Sequence, residues 1–385
     1  MKIRTLFSSM LGAIGIAAIV ALTVNTKAGE PASPREIEKP LVQIAILLDT
    51  SGSMQGLIEQ AKSQLWKICN EFIKARQDGV APEIQVALYE YGKDSLSQNS
   101  GWIRQIQPLT QDLDKISEEL FALKTNGGQE YCGWVIKDAV NELAWSPRSD
   151  VYKVIFIAGN EPFTQGPVNY AESCKAAITK GIIVNTIHCG GETEGVNGKW
   201  KDGADLADGK YMIIDQNRAV VSIQAPQDKE IARLGVELNN TYLAYGVEGK
   251  LGASRQQMQD ANVATLAPTS GAVVQRSVAK ASANYVNASW DLVDAVNENN
   301  LDVSKLKTEE LPAEMQKMNA DERKAFIEKN SKEREQLQAK IKQLNIEREQ
   351  YVAQRMKEVA GTNTLDAVVI SAVREQSAKR NFTFQ

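Results

Sequence analysis

A nearly continuous apolar run at residues 41–48 stops abruptly at the polar sequence Asp49-Thr50-Ser51-Gly52-Ser53. A strand with one solvated face alternates apolar and polar residues, so an unbroken run is typical of a strand covered on both faces. Such a strand belongs near the centre of a sheet that has helices on both sides. The polar loop that follows it is therefore expected at the carboxyl edge of that sheet.

Strand-like and helical segments alternate after this run. Further strands are predicted at residues 83–91, 102–109, 151–158, 182–188 and 210–214. Helices are predicted at residues 56–75, 112–123, 132–144, 169–180 and 228–238. This alternation with short connections predicts an α/β fold, a doubly wound and mostly parallel sheet, whose ligand sites lie at the carboxyl ends of the strands.

The polar loop carries the oxygen ligands of a cation site. Asp49, Ser51 and Ser53 stand at alternate positions, and Gly52 lets the chain turn tightly between the two serines. Carboxylate and hydroxyl oxygens suit hard divalent cations such as Mg²⁺. This D-x-S-x-S pattern resembles the metal-ion-dependent adhesion site of von Willebrand factor type A (VWA) domains, and the order of elements over residues 41–242 resembles that family too. The resemblance implies a VWA-like domain that binds Mg²⁺, or Mn²⁺ or Ca²⁺.

Two other loops of that site depart from the family's pattern. Where the family usually has Gly-Gly-Thr, this chain reads Gly-Gly-Gln129-Glu130, which places Gln129 at the threonine position and adds a carboxylate. Where the family usually has an aspartate on the third loop, this chain has Gly159, followed by Asn160 and Glu161. The ligand set that the resemblance implies is then Asp49, Ser51, Ser53, Gln129, Glu130 and Glu161.

Two readings without a metal remain open for this loop. In the first, the loop residues are held by hydrogen bonds alone. In the second, the motif is an ordinary strand-to-helix turn in which Asp49 or a serine caps the next helix.

The function that follows from the resemblance is binding rather than catalysis. In the family, the open coordination position of the cation takes an acidic group from a partner protein. We therefore expect a non-enzymatic protein that acts in adhesion or in assembly of the cell envelope, and a metal-free structural scaffold is the alternative. The net charge of −4 gives no electrostatic case for nucleic-acid binding.

The N-terminal residues predict export. Lys2 and Arg4 precede an apolar run, and a small-x-small cleavage site ends at Ala28, so residues 1–28 are expected to be a signal peptide and 29–40 a linker. An uncleaved membrane anchor is the competing reading, because residues 6–24 approach spanning length. In both readings the body of the protein lies outside the cytoplasm, in the periplasm of a bacterial cell.

An exported location permits disulfides among Cys69, Cys132, Cys174 and Cys189, and the sequence does not select a pairing. The single histidine, His188, follows a predicted strand near the same edge as Asp49. A thiol- or histidine-dependent enzyme using Cys132 or His188 is therefore a further interpretation. A disulfide between Cys132 and Cys189 explains the same residues more simply. Residues 197–209, rich in Asp and Gly, are expected to form a solvated loop.

The C-terminal part of the chain has a different character. The VWA-like domain is expected to span residues 41–245, a connecting region 246–311, and a charged helix with a tail 312–385. Signals in residues 248–270 are weak, and 274–298 reads as helical. In residues 313–359, Leu337, Ile341, Leu344 and Tyr351 form an apolar stripe, while Arg334, Arg348 and Arg355 hold the other heptad positions. This pattern favours a helix packed against 274–298 over an oligomerising coiled coil, and it leaves the oligomeric state open.

Overall fold

The computed structural model of the chain describes residues 39–217, 222–299, 301–356 and 365–384. The predicted signal peptide, its alternative as a membrane anchor and most of the predicted linker lie outside the described residues. Within those ranges, no helix combines the length and the apolar character that crossing a membrane requires.

A six-stranded sheet forms the centre of the fold. Its strands are β1 (Leu41–Asp49), β3 (Glu83–Tyr91), β4 (Ile103–Thr110), β5 (Tyr152–Gly159), β6 (Ile182–His188) and β7 (Tyr211–Ile213). Their spatial order is β4-β3-β1-β5-β6-β7, and every neighbouring pair is parallel except β3 with β4. This is the predicted doubly wound, mostly parallel sheet. The unbroken apolar run of β1 is explained by its place between β3 and β5, with helices on both faces.

Two apolar cores lie on opposite faces of this sheet. The helices that connect its strands are α1 (Gln55–Ile73), α2 (Leu113–Ala122), α3 (Cys132–Glu142), α4 (Tyr170–Thr179), α5 (Glu192–Asn197) and α6 (Trp200–Asp205). Alternate residues of β1 serve the two cores: Ile44 and Leu48 pack with α1 and α2, and Ala45 and Leu47 pack with α3. The alternation follows from the period of two along a strand.

The prediction of a loop at residues 197–209 is wrong for residues 200–205, although Asp202, Asp205 and Asp208 are exposed as expected. The segment forms α6, and the Trp200 side chain is completely buried against Phe163 and His188. Its indole Nε1 donates to the backbone oxygen of Glu161, 2.8 Å away. One buried tryptophan therefore anchors a stretch whose Asp and Gly content suggested exposure.

The remaining elements are α7 (Asp228–Asn239), α8 (Gly249–Thr265), α9 (Ala272–Lys280), α10 (Leu292–Asn299), α11 (Ala320–Met356), α12 (Leu365–Ala378) and two short strands, β2 (Ala75–Gln77) and β8 (Phe382–Phe384). The weakly patterned residues 248–270 thus contain a regular helix, α8. The segment 274–298 is not one helix but parts of two, α9 and α10.

The end of the chain packs on the sheet domain. Strand β8 pairs antiparallel with β2, and Leu365 and Val369 of α12 enter the core between the sheet and α1. The hydroxyl of Tyr152 on β5 donates to Gln376 on α12 over 2.9 Å. Elements distant in sequence therefore share one core, and the domain boundaries proposed from sequence remain predictions.

The long helix α11 packs against α7, α9 and α10. Leu337, Ile341 and Leu344 contact an apolar cluster contributed mainly by α7, in which Ile341 is completely buried. The contacts with α9 and α10 agree with the packing predicted against residues 274–298. The larger contact with α7 was not predicted.

Candidate functional site

Asp49, the last residue of β1, lies at the carboxyl edge of the sheet between the ends of β3 and β5. Its side chain has no exposed surface. Oδ1 accepts a hydrogen bond of 2.7 Å from the backbone amide of Ser51. Oδ2 is buried and has no hydrogen-bond partner among the described residues. An unpartnered buried carboxylate oxygen is costly, so this atom is available to a ligand that the chain itself does not supply.

The two serines of the first loop lie beside Asp49. The Oγ atoms of Ser51 and Ser53 are 3.3 Å apart; Ser51 is buried, while Ser53 is exposed. The Ser53 hydroxyl also contacts Oδ1 of Asn160, at 3.4 Å. The first loop thus presents one buried carboxylate and two hydroxyls, as its motif predicts.

The second loop brings a carboxylate to the same place. The backbone amide of Asn126 donates to the Thr50 oxygen over 3.0 Å, which fixes the second loop against the first. Glu130 is buried and interacts with the Ser51 hydroxyl, whereas Gln129 is exposed. Of the two candidates on this loop, Glu130 is the one that faces Asp49 and Ser51.

Glycine at position 92 leaves space for the side chains of Asp49 and Glu130. A Cβ atom added to Gly92 would lie 2.9 Å from Oδ1 of Asp49 and 2.8 Å from Cγ of Glu130. The residue also has a φ of +82°, which side chains rarely adopt. Any larger residue would displace one of the carboxylates.

The third loop contributes charge rather than an aspartate. At Gly159, an added Cβ would lie 2.6 Å from the Tyr91 hydroxyl and 3.0 Å from Oδ2 of Asp49, so no side chain fits there. The Tyr91 hydroxyl occupies this space and donates to the Ala158 oxygen over 3.0 Å. Glu161, two residues on, is half-buried, and its negative charge acts on Asp49 and on Glu130.

The electrostatics of these three acids are mutually repulsive. Burial, together with the charges of Glu130 and Glu161 and against the hydrogen bonds from Ser51, raises the pKa of Asp49 to about 7. Burial raises the pKa of Glu130 to about 7, and the charges of Glu161 and Asp94 act in the same direction. No positively charged side chain is among the main influences on the pKa of Asp49 or of Glu130. A divalent cation would offset this repulsion.

The donor set fits such a cation through mixed ligands. Across the described ranges, no three His, Cys, Asp or Glu side chains are gathered into a ready-made metal cluster. A cation here would need the serine hydroxyls together with Asp49 and Glu130, which is oxygen chemistry of the kind that Mg²⁺ takes. The unpartnered Oδ2 of Asp49 supports this fit.

The predicted disulfide between Cys132 and Cys189 is wrong. All four cysteines are free and buried. Burial raises the pKa of the Cys132 thiol, whose sulfur lies 3.7 Å from the Tyr91 hydroxyl, and it also raises the pKa of Cys189. Reactive cysteines require the opposite shift, towards the thiolate.

His188 ends β6 at the same edge of the sheet, and its side chain is buried. Neither ring nitrogen has a hydrogen-bond partner within the described part of the chain, so the imidazole is not paired with a thiol. Burial lowers its pKa, partly opposed by Glu194.

Asp94 and Gly92 were missed by the sequence reasoning. Both follow β3, whose carboxyl end lies next to that of β1, and Asp94 is bonded through its backbone amide to Gly127. The available signal was the polar sequence Gly92-Lys93-Asp94 directly after a buried strand, which is the same arrangement that identified Asp49.

Comparison with known proteins agrees with this architecture. Residues 43–203 match the von Willebrand factor type A domain, so the chain contains a domain of this kind. No curated protein matches the chain.

Three solved structures illustrate what the chain is similar to. BatB from Bacteroides thetaiotaomicron, a conserved hypothetical protein, is 19% identical over 45% of this chain and 90% of its own, with a TM-score of 0.35. The SpRpn10 VWA domain is 19% identical over 45% of this chain and 88% of its own, with a TM-score of 0.35. An aerotolerance-related membrane protein from Bacteroides fragilis NCTC 9343 is 18% identical over 45% of this chain and 92% of its own, with a TM-score of 0.31.

Proposed function

We propose that this chain is an exported, non-enzymatic protein whose VWA domain binds a protein partner through a divalent-cation site, in adhesion or assembly of the cell envelope. Domains of this kind are generally interaction modules rather than enzymes. The observation that carries the proposal is the buried Asp49 side chain near Glu130, with a carboxylate oxygen, Oδ2, that has no hydrogen-bond partner among the described residues.

The residues of the site divide into two groups. Asp49, Ser51, Ser53 and Glu130 lie together and would hold the cation, Mg²⁺ or else Mn²⁺ or Ca²⁺. The exposed Gln129 and the half-buried Glu161 lie at the margin and would contact its bound water or the partner. The bound cation would supply an open coordination position to an oxygen atom. The chain's own part is to hold the ligands rigidly at the end of the central strand and to keep the adjoining core dry.

Titration calorimetry with Mg²⁺ and Mn²⁺ tests the site. We expect saturable binding by the wild type, none by Asp49→Ala, and weaker binding by Ser53→Ala and Glu130→Gln. The matched control is Asp205→Ala, because Asp205 is an exposed aspartate on α6 that pairs with Lys201. If the wild type binds neither ion at millimolar concentration, the cation site is refuted.

A metal-free scaffold is the second candidate function. It is favoured by the bonds that the loops make among themselves, from Ser51 to Asp49 and from Asn126 to Thr50. The same calorimetry separates the two candidates, because a scaffold predicts equal and negligible heats for wild type and Asp49→Ala.

Export rests on residues 1–28 alone. We propose cleavage after Ala28, and intact-mass measurement of the protein from a bacterial envelope fraction tests it. A mature chain that begins at Gly29 supports the proposal, whereas a full-length chain in the membrane fraction favours the uncleaved anchor.

A further inference from the structure

The loops at the carboxyl edge of the sheet gather acidic side chains around Asp49 and Glu130. Their described parts contain five carboxylates, from Asp49, Asp94, Glu130, Glu161 and Asp215. Against them stand three cationic side chains in the same loops of the sequence, Lys93, Lys124 and Arg218, so the formal charge is −2 and one divalent cation balances the loops as a whole. Lys93 also forms an ion pair with the buried carboxylate of Glu90, 3.8 Å away.

The charge is concentrated where a partner would reach the cation. Asp49 and Glu130 flank the space at Gly92, and these two carboxylates alone balance a divalent cation. The negative charges of Glu161 and Asp94 act on the same pair and are surplus. The family's usual pattern gives the first-loop aspartate one acidic neighbour, the aspartate of the third loop, whereas Asp49 has Glu130 and Glu161 near it and Glu130 also has Asp94. An acidic partner group would therefore meet repulsion here rather than an electrophilic cation.

Aromatic rings continue the surface on the side of Glu130. Tyr131 follows Glu130, and its ring packs edge-on against Trp102, with centroids 5.3 Å apart, and parallel to Trp134 at 6.3 Å. All three side chains are half-buried. Gly101 and Gly166 lie directly against the Trp134 and Tyr131 rings, where an added Cβ would come within 2.7 Å and 2.5 Å of ring atoms. The rings are thus fixed in place.

Trp102 is held in an uncommon backbone conformation. Its φ is +52°, a value that is rare for a bulky residue and often marks a functional site. Its backbone amide donates a hydrogen bond to the Ser97 oxygen, and its carbonyl oxygen accepts one from the Gly92 amide. The hairpin between β3 and β4 therefore imposes this conformation. The result is a partly exposed indole beside the acidic loops.

From these observations we infer that the surface formed by Asp94, Glu161 and the cluster Trp102–Tyr131–Trp134 binds a basic segment of the partner protein, with Lys or Arg side chains set against carboxylate and ring. The inference rests on the proposed function for its setting at this edge, but it replaces the acidic partner group that the family resemblance implies. Aromatic faces attract ammonium and guanidinium groups, and carboxylates complement their charge. Trp, Tyr and Arg are also the residues that contribute most at protein interfaces.

Two end-capped peptides of five residues, Gly-Arg-Gly-Arg-Gly and Gly-Glu-Gly-Glu-Gly, test the inference with the full chain. The readout is the ¹⁵N-indole spectrum of the six tryptophans, assigned by Trp102→Phe and Trp134→Phe. With millimolar Mg²⁺ present, we expect the Arg peptide to shift the Trp102 and Trp134 signals and to bind at least about tenfold more tightly than the Glu peptide. The buried Trp66 and Trp200 should not shift.

Asp94→Asn separates this inference from the cation site. We expect it to weaken the Arg peptide about threefold, while Mg²⁺ binding in calorimetry stays close to wild type. Asp205→Asn is the matched control and should leave both unchanged. Equal or tighter binding of the Glu peptide, or no binding of either peptide, overturns the inference. Loss of Mg²⁺ binding overturns the proposed function instead, whatever the peptides do.

Discussion

Arg334 on the long helix α11 lies 2.7 Å from the carboxylate of Asp291, which has no exposed surface. The same guanidinium lies 2.6 Å from Asp294 and sits over the Tyr242 ring, 4.0 Å from its centroid. Arg334 also donates to the backbone oxygen of Thr241 over 2.7 Å. Arg334 holds one of the heptad positions whose charge disfavoured a coiled coil. In the structure it attaches α11 to the rest of its own chain through buried ion pairs.

The Arg334→Ala variant should be strongly destabilised. Removing one partner of a buried ion pair leaves the remaining carboxylates unpaired, which costs about 3–5 kcal/mol of unfolding free energy. Lys340→Ala is the control, because Lys340 pairs with Glu230 in solvent, and it should change the unfolding free energy by less than about 1 kcal/mol. Urea unfolding followed by tryptophan fluorescence measures both, and similar values for the two variants would contradict the expectation.

The sheet was predictable because burial on both faces appears in the sequence as consecutive apolar residues. Helix α8 was not, because its buried positions are Gly249, Gly252, Gln256, Gln259 and Val263, of which only one is a large apolar residue. Gly252 is buried because the Trp290 indole lies directly on it. A helix whose buried positions are mainly glycine and glutamine shows no periodic apolar pattern in the sequence.

The candidate site was likewise predictable from the sequence only in part. The motif at Asp49, Ser51 and Ser53 could be read locally, since those residues lie within one loop. Which of Gln129 and Glu130 turns inward could not, because that depends on the contact with Gly92 from another strand. The absence of a side chain at Gly159 is explained by the Tyr91 hydroxyl, which reaches β5 from β3 across the central strand, and by the Asp49 side chain.

All four thiols should be unreactive in the folded protein. Each cysteine is free and buried, and burial raises the pKa of Cys69 and of Cys174 to about 12. Titration with Ellman's reagent at pH near 8 should find no reactive thiol in native protein and four after denaturation without reductant. Two or none after denaturation would show that disulfides form in the exported protein.

His188 should make the protein less stable in acid. Burial lowers the pKa of this imidazole below its ordinary value of 6.5. The unfolded chain then takes up a proton before the folded chain does, so the unfolding free energy falls as the pH drops below about 6.5. We expect His188→Leu to lose this part of the pH dependence and to gain stability relative to wild type at pH near 5.5. Urea unfolding at several pH values measures it, and parallel curves for variant and wild type would contradict it.

Asp49 should make the protein less stable at high pH when divalent cations are removed. Its pKa is raised from 3.8 to about 7, so the folded chain keeps a proton that the unfolded chain releases. The unfolding free energy therefore falls as the pH rises from about 4 to about 7, and the loss is complete above that range. With a chelator at pH near 8, we expect Asp49→Asn to exceed wild type in unfolding free energy by roughly 2–4 kcal/mol, and to match it near pH 4. Saturating Mg²⁺ should then stabilise the wild type and leave Asp49→Asn unchanged, because binding of the cation requires the charge of the Asp49 carboxylate. In chelator, the unfolding free energy of the wild type relative to that of Asp49→Asn should be lower at pH 8 than at pH 5. If it is not, the expected cost of the ionised Asp49 carboxylate is contradicted.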